Sequence, residues 1–294
     1  MTLFAPLFPI KPERPQSEQR QYGTLRRVHA RSALFDLYGD HLLSRGGSAP
    51  VAALIRILEP LGLRAPAVRT AISRMVAQGW LAPEPRSEES SRGSEYRLTE
   101  RARLRLDEAG ARIYRTRPEP WDGRWHVRVL APITERGRRE RVRTQLRFLG
   151  LAPISDSTWV SPWASAGADA LVAEEDLEVV SLTTTDVTPG GALLTAFDID
   201  GLGHAYAAWL DDAHRQVEPA LGSYDDRTAF VVRSELLHSW RMFLFSDPGL
   251  PDALLPPDWP GHRAAAFFDE HAARLLPAAS RFIDHCLTPT GAPR

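Results

Sequence analysis

The 294-residue chain has a single cysteine, Cys286, and a single lysine, Lys11. One cysteine excludes an intrachain disulfide and fits a reducing compartment, so a cytoplasmic location is expected. No apolar run approaches the length of a membrane span, and no membrane partner is expected. Met1–Ile10 is apolar but broken by Pro6 and Pro9, lacks a preceding basic region, and is not read as a signal peptide. Metal motifs are missing as well. The nine histidines form no HExxH and have no cysteine partners at zinc-finger spacing. Asp198-Ile199-Asp200-Gly201 has the start of a calcium loop, but the twelfth position is Trp209, not a bidentate glutamate, so a turn before a helix is expected. No P-loop, dinucleotide fingerprint or nucleophile elbow occurs, and neither a cofactor nor a catalytic residue is assigned.

What is present is arginine, unevenly placed. Residues 1–120 hold 20 basic against 13 acidic side chains, residues 121–160 hold 8 against 4, and residues 161–294 hold 8 against 20. The net charge of −1 therefore hides a basic front and an acidic back, and the front is expected to meet a polyanion.

Residues 1–24 read as a flexible tail. A helix is expected over Leu25–Leu43, with Leu34, Leu37, Tyr38, His41 and Leu42 on one stripe. A second is expected from Ser48 as N-cap, with Pro50 in its first turn, closed by Pro60 and Gly62. The third, Pro66–Gln78, turns Val68, Ile72, Met75 and Val76 inward and Arg69, Thr70, Ser73, Arg74 and Ala77 outward. A strand from Trp80-Leu81, a polar segment Glu84–Ser94 and a returning strand Glu95–Thr99 make a hairpin, before a helix Glu100–Tyr114 capped by Thr99 and a linker Arg115–Pro120.

Two helices, a glycine-containing turn, a third helix and a hairpin match a winged helix-turn-helix over residues 25–117. A major groove admits one helix, and small outward residues permit close approach. The DNA-contacting candidates are Arg64 just before the third helix, Arg69, Thr70, Ser73 and Arg74 on it, and Arg86 and Arg92 in the wing. The competing readings are a helical domain whose arginines are only solvated, and a protein-interaction module.

Residues 118–200 read as a small α+β domain with an antiparallel sheet: strands Trp125–Leu130, Thr158–Ser161 and Leu177–Thr184, and helices Glu135–Leu149, strongly basic, and Ala166–Glu175. Residues 201–294 read as helical: His204–Leu221, Thr228–Phe245, Gly261–Leu276 and Pro277–Leu287.

An ordered set of short strings resembles the PaaX family of phenylacetate-pathway repressors. They include Leu37-Tyr38-Gly39-Asp40, Arg45-Gly46-Gly47, Val68-Arg69-Thr70-Ala71, Gly79-Trp80-Leu81, Trp121-Asp122-Gly123-Arg124-Trp125, Trp159-Val160-Ser161-Pro162, Trp240-Arg241 and Asp258-Trp259-Pro260-Gly261. The resemblance implies an α+β chain with an N-terminal winged helix, a central ferredoxin-like domain and a helical C-terminal domain for effector binding and dimerisation. It implies a homodimer that represses aromatic-acid catabolic genes on double-stranded operator DNA and is released by an aryl-acyl-CoA such as phenylacetyl-CoA. One departure is the long acidic wing Ser87-Glu88-Glu89-Ser90-Ser91, where a shorter basic hairpin is expected. The central domain would also resemble a small CRISPR-associated nuclease, but the first strand ends Val129-Leu130-Ala131-Pro132 without the metal-binding aspartate that chemistry needs.

An acyl-CoA needs arginines for its phosphates and an apolar slot for its acyl group. Arg233, His238, Trp240, Arg241, Trp259, His262 and Arg263 interleave those properties in the acidic half and are the effector-binding candidates. Trp240 and Trp259 read equally as core aromatics, and Arg241 as an ion-pair residue. The alternative to a ligand-responsive repressor is an enzyme acting on a CoA thioester or nucleic acid with an appended winged helix.

Overall fold

The computed structural model describes residues 29–84, 94–100, 102, 103, 106, 120–189, 191–217 and 225–288. The tail 1–24, the wing tip with Arg86 and Arg92, most of the helix expected over 100–114, and the linker before Pro120 lie outside the described residues. The chain condenses into two units that do not follow chain order: Met1–Tyr114, Ala208–Arg241 and Arg263–Arg294 form one, Arg115–Ala207 and Met242–His262 the other.

In the first unit, α1 (Ala30–Leu37) runs on through a π turn, Tyr38–Leu42, and a 3-10 turn, Leu43–Arg45. It leads to β1 (Ser48–Pro50), α2 (Val51–Leu58), α3 (Ala65–Ala77), β2 (Leu81–Pro83) and β3 (Glu95–Leu98). Ser48 is thus not a helix cap. It pairs with Arg97 in a three-stranded antiparallel sheet of order β1-β3-β2, and Pro50 becomes the N-cap of α2. Pro50 is tolerated because it is a strand terminus, where a missing N–H costs no central ladder bond. Gly62, at φ +76, makes the left-handed step that turns the chain from α2 into α3. Leu34, Phe35, Tyr38, Leu54, Ile57, Leu58, Met75 and Leu81 are fully buried between these elements. The Tyr38 hydroxyl donates to the Tyr96 carbonyl at 2.8 Å, tying α1 to the hairpin.

Most of two C-terminal helices belong to this same unit: α7 (Asp226–Arg241) and α8 (Pro260–Leu287). The expected break at Pro277 does not occur, and α8 passes through it as one helix. Its apolar stripe is continuous across the proline, with Phe268, Ala272, Leu275, Ala279 and Ile283 all buried. Packing of that stripe outweighs the one lost backbone bond, which costs about 3 kcal/mol. Trp240 stacks on Phe268 at 4.8 Å and Phe230 on Phe282 at 5.1 Å.

The second unit contains β4 (Trp125–Leu130), α4 (Arg136–Phe148), β5 (Ala152–Pro153), β6 (Thr158–Ser161), α5 (Ala166–Glu174) and β7 (Val179–Thr184). All pairings are antiparallel, in the order β5-β6-β4-β7. Leu130, Trp159 and Val179 turn toward α4 and α5, against Val142, Leu146, Ala168 and Leu171. The opposite face is partly open. There Ile154, Thr158, Val129 and Val180 lie side by side across the four strands, and Ala152, Val160, Val127 and Leu182 form the adjacent row. Val180 and Leu182 are 59% and 54% exposed. The helix α6 (Ile199–Val217) starts with Asp198 accepting from the Gly201 N–H at 2.9 Å, so the acidic string is the cap and first turn of the helix itself, which begins earlier than the expected His204.

Candidate nucleic-acid interface

The helix α3 owes its start to Arg64 in extended conformation followed by Pro66 in the first turn, and its stop to Gly79 at φ +70. Its Val68, Ala71, Ile72 and Met75 are buried, which fixes the outward face. On that face Arg64, Arg69, Thr70, Ser73, Arg74 and Ala77 are all exposed. Thr70 donates to the Pro66 carbonyl at 2.9 Å and Ser73 to the Arg69 carbonyl at 3.1 Å. Both hydroxyls are thereby oriented with acceptor lone pairs outward. None of the three arginines has an acidic partner among the described residues. The result is a convex helical surface with small residues at its centre and three unneutralised guanidiniums. Chemically it can insert in a groove and form bidentate bonds to base edges or phosphates.

The effector candidates divide between the two units. Arg233, His238, Trp240, Arg241 and Arg263 fall in the first; Trp259 and His262 fall in the second. Trp259 is buried, with its ring 3.1 Å from where a Cβ on Gly203 would stand. His262 is exposed and 3.1 Å from Asp252, and Arg263 is exposed. Trp240 is core, edge-on to Trp209 at 4.8 Å.

Arg233 and Arg241 are 4% and 5% exposed, and both are occupied. Arg233 grips Asp40 with two bonds, of 2.8 and 2.6 Å, and donates a third to the Ala272 carbonyl of α8. Arg241 forms an ion pair with Asp36, whose other oxygen lies 3.2 Å from His238 Nδ1. Asp40 also meets His41 Nε2 at 3.0 Å. A small cleft lined by Asp36, Asp40, His41, Phe230 and Ser234 runs beside these pairs.

The charges follow from these contacts. Burial alone would raise Asp40, but the His41 hydrogen bond and the Arg233 charge outweigh it and hold the carboxyl well below its usual range. Burial lowers the Arg241 guanidinium to about 9, which leaves it charged at neutral pH opposite Asp36. Burial also lowers His238, against a smaller opposing effect of Glu235. The acids of this cluster, Asp36 and Asp40, escaped sequence reasoning. Their one signal was i,i+4 spacing on the helix that carries the buried His41.

Three family models match in chain order: "PaaX-like protein" over residues 29–102, "PaaX protein central Cas2-like domain" over 118–193, and "PaaX-like protein C-terminal domain" over 197–285. The chain belongs to the PaaX family. A curated relative, the transcriptional repressor PaaX of Escherichia coli (strain K12), is 27% identical over 268 residues, covering 87% of this PaaX-family chain and 83% of the relative. A solved Mycobacterium tuberculosis structure, itself titled an uncharacterized protein, aligns over 90% of this chain and 99% of its own, at a TM-score of 0.55 and 25% identity. In this PaaX-family chain the first matched segment contains all of α3, and the segment with the Cas2-like description contains the β5-β6-β4-β7 sheet.

Proposed function

We propose that this chain is a DNA-binding transcriptional repressor that reads operator DNA with α3 and is released by an aryl-acyl-CoA. The observation that carries the reading is the outward face of α3, with Arg64, Arg69 and Arg74 exposed and unneutralised around Thr70 and Ser73. The relative titled a transcriptional repressor supports the same class, a regulator rather than an enzyme. In this reading residues 25–117 are a winged helix-turn-helix, 118–200 a ferredoxin-like domain and 201–294 a helical effector and dimerisation domain. The β-α-β-β-α-β succession with the first strand inside the sheet supports the second assignment. Among the described residues no helix is long and apolar enough to cross a membrane, and no group of three metal-ligating side chains occurs.

The functional unit is a homodimer, since a two-fold assembly doubles a small footprint on a near-palindromic site. The exposed part of the sheet face supports a contribution from the central domain: Ile154, Val129, Val180 and Leu182 are exposed and uncharged, while Ala152 and Val160 beside them are covered within the unit, so a second copy of this apolar strip meets it without repulsion. Leu182→Asp would place a charge in that contact and is expected to shift the dimer toward monomer by light scattering.

The effector is an aryl-acyl-CoA, phenylacetyl-CoA first, and the regulated genes are those of phenylacetate-type catabolism. Support comes from α7, where Arg241 is bonded to Asp36 of α1 and Arg233 to Asp40 of the π turn that follows it, so a ligand engaging α7 acts directly on the DNA-binding half of that unit. Gel shift on DNA upstream of the chain's own coding region tests DNA binding. Calorimetry with phenylacetyl-CoA, phenylacetate and CoA tests the effector. A shift abolished by the thioester and unaffected by the free acid is the expected result.

A further inference from the structure

The helix α4 contains six arginines and one glutamate in its thirteen residues, Arg136–Phe148. Half of the arginines are used internally. Arg138 pairs with Glu175 at 3.2 Å, Arg143 with Asp156 at 3.0 Å, and Arg139 donates to the Ile133 carbonyl at 3.2 Å. The other three, Arg136, Arg141 and Arg147, are exposed and have no acidic partner among the described residues. Val142 and Leu146 anchor the inner face, so these three arginines occupy the outer half of the helix. Arg147 is held in place by lying over the Trp159 ring, 5.8 Å from its centroid. Glu140 is the one acid on this outer half.

The spacing decides the partner. From Arg136 to Arg147 the helix rises about 16 Å at 1.5 Å per residue. A pyrophosphate needs guanidiniums converging on one point. Charges spread over that distance suit a linear polyanion, and a duplex presents one phosphate about every 1.7 Å of its axis. The outer face exposes no aromatic side chain on which a splayed single strand could stack, and its small residues, Gly137 and Thr144, flank the carboxylate of Glu140, which favours phosphate contact over insertion into a groove.

We infer that α4 is a second, sequence-independent nucleic-acid surface, contacting duplex phosphates through Arg136, Arg141 and Arg147. The inference rests on the DNA-binding reading of the preceding section. Its role is affinity without discrimination, complementing a base-reading α3.

Fluorescence anisotropy of the full chain tests it. The titrations use the upstream duplex and an unrelated duplex of equal length, from about 50 to 200 mM NaCl. Each lost phosphate contact makes the plot of log affinity against log salt shallower by nearly one. The double variant Arg136→Gln/Arg141→Gln is expected to lose about two in slope, equally on both duplexes, with affinity reduced several-fold at low salt. Glu140→Gln is expected to bind both duplexes more tightly. A wild-type slope in the double variant, with an unchanged Glu140→Gln affinity, overturns the α4 surface and leaves the α3 reading intact. No binding of the wild-type chain to either duplex overturns the DNA-binding reading itself.

Discussion

The helices α3 and α7 both present arginines, and the same side chain does opposite work on them. On α3, Arg69 and Arg74 stand in solvent beside small hydroxyl residues with no acidic partner among the described residues. On α7, Arg233 and Arg241 are almost wholly buried, and their donors are directed at Asp40, Asp36 and a backbone carbonyl. An unneutralised surface charge contributes little to stability and is available for a polyanion. A buried guanidinium survives only because its counterion comes with it, and that makes it a rivet between helices far apart in sequence. The difference teaches that arginine count does not locate a binding site; the positions of the acids do.

Removing one member of each class breaks the comparison most sharply. Arg233→Ala strands Asp40 in the interior and is expected to cost about 3–5 kcal/mol of unfolding free energy, as breaking buried pairs does. Arg69→Ala should stay within about 0.5 kcal/mol of wild type, as exposed substitutions do. Urea unfolding of both variants checks this, and equal stabilities would mean that the buried pair is misassigned. Arg241→Ala belongs with the first class, so a changed ligand response in that variant is informative only after its stability has been measured.

That contrast also marks what the sequence could and could not disclose. The outward set of α3 was legible because Val68, Ile72 and Met75 follow the 3.6-residue period and leave the remaining positions no other side. The strands β4, β6 and β7 were legible from alternation and β-branched content. The strand β1 was not, since three residues ending in proline have no period to detect. Continuity of α8 through Pro277 was illegible because the local rule favours a break, and only the packed stripe on both sides overrides it. The pairing of Asp40 with Arg233 spans 193 residues, and no local pattern encodes it. Trp240, Trp259 and Arg241 were open to a core or ion-pair reading, and all three are buried.

A smaller effect separates the two regions by pH. Burial depresses His238, which faces Asp36, Arg241 and Glu235, so the folded chain favours the neutral ring. The unfolded chain takes up that proton once pH falls below about 6.5, so unfolding free energy should decline from there downward. His238→Gln should flatten this decline in unfolding curves taken between pH 7 and 5. Asp40 acts in the same sense at lower pH: its contribution is intact above about 3.8 and is lost as pH falls through its depressed folded value. The exposed α3 arginines bond to none of these buried groups, so Arg69→Ala should leave this decline in place.

The central claim is that α3 reads DNA, and binding titrations of Arg69→Ala and Arg74→Ala on the upstream duplex test it most directly. Loss of a bidentate base contact is expected to weaken binding to that duplex by about 1–3 kcal/mol while affinity for an unrelated duplex changes much less. Wild-type affinity and wild-type discrimination in both variants would contradict the account.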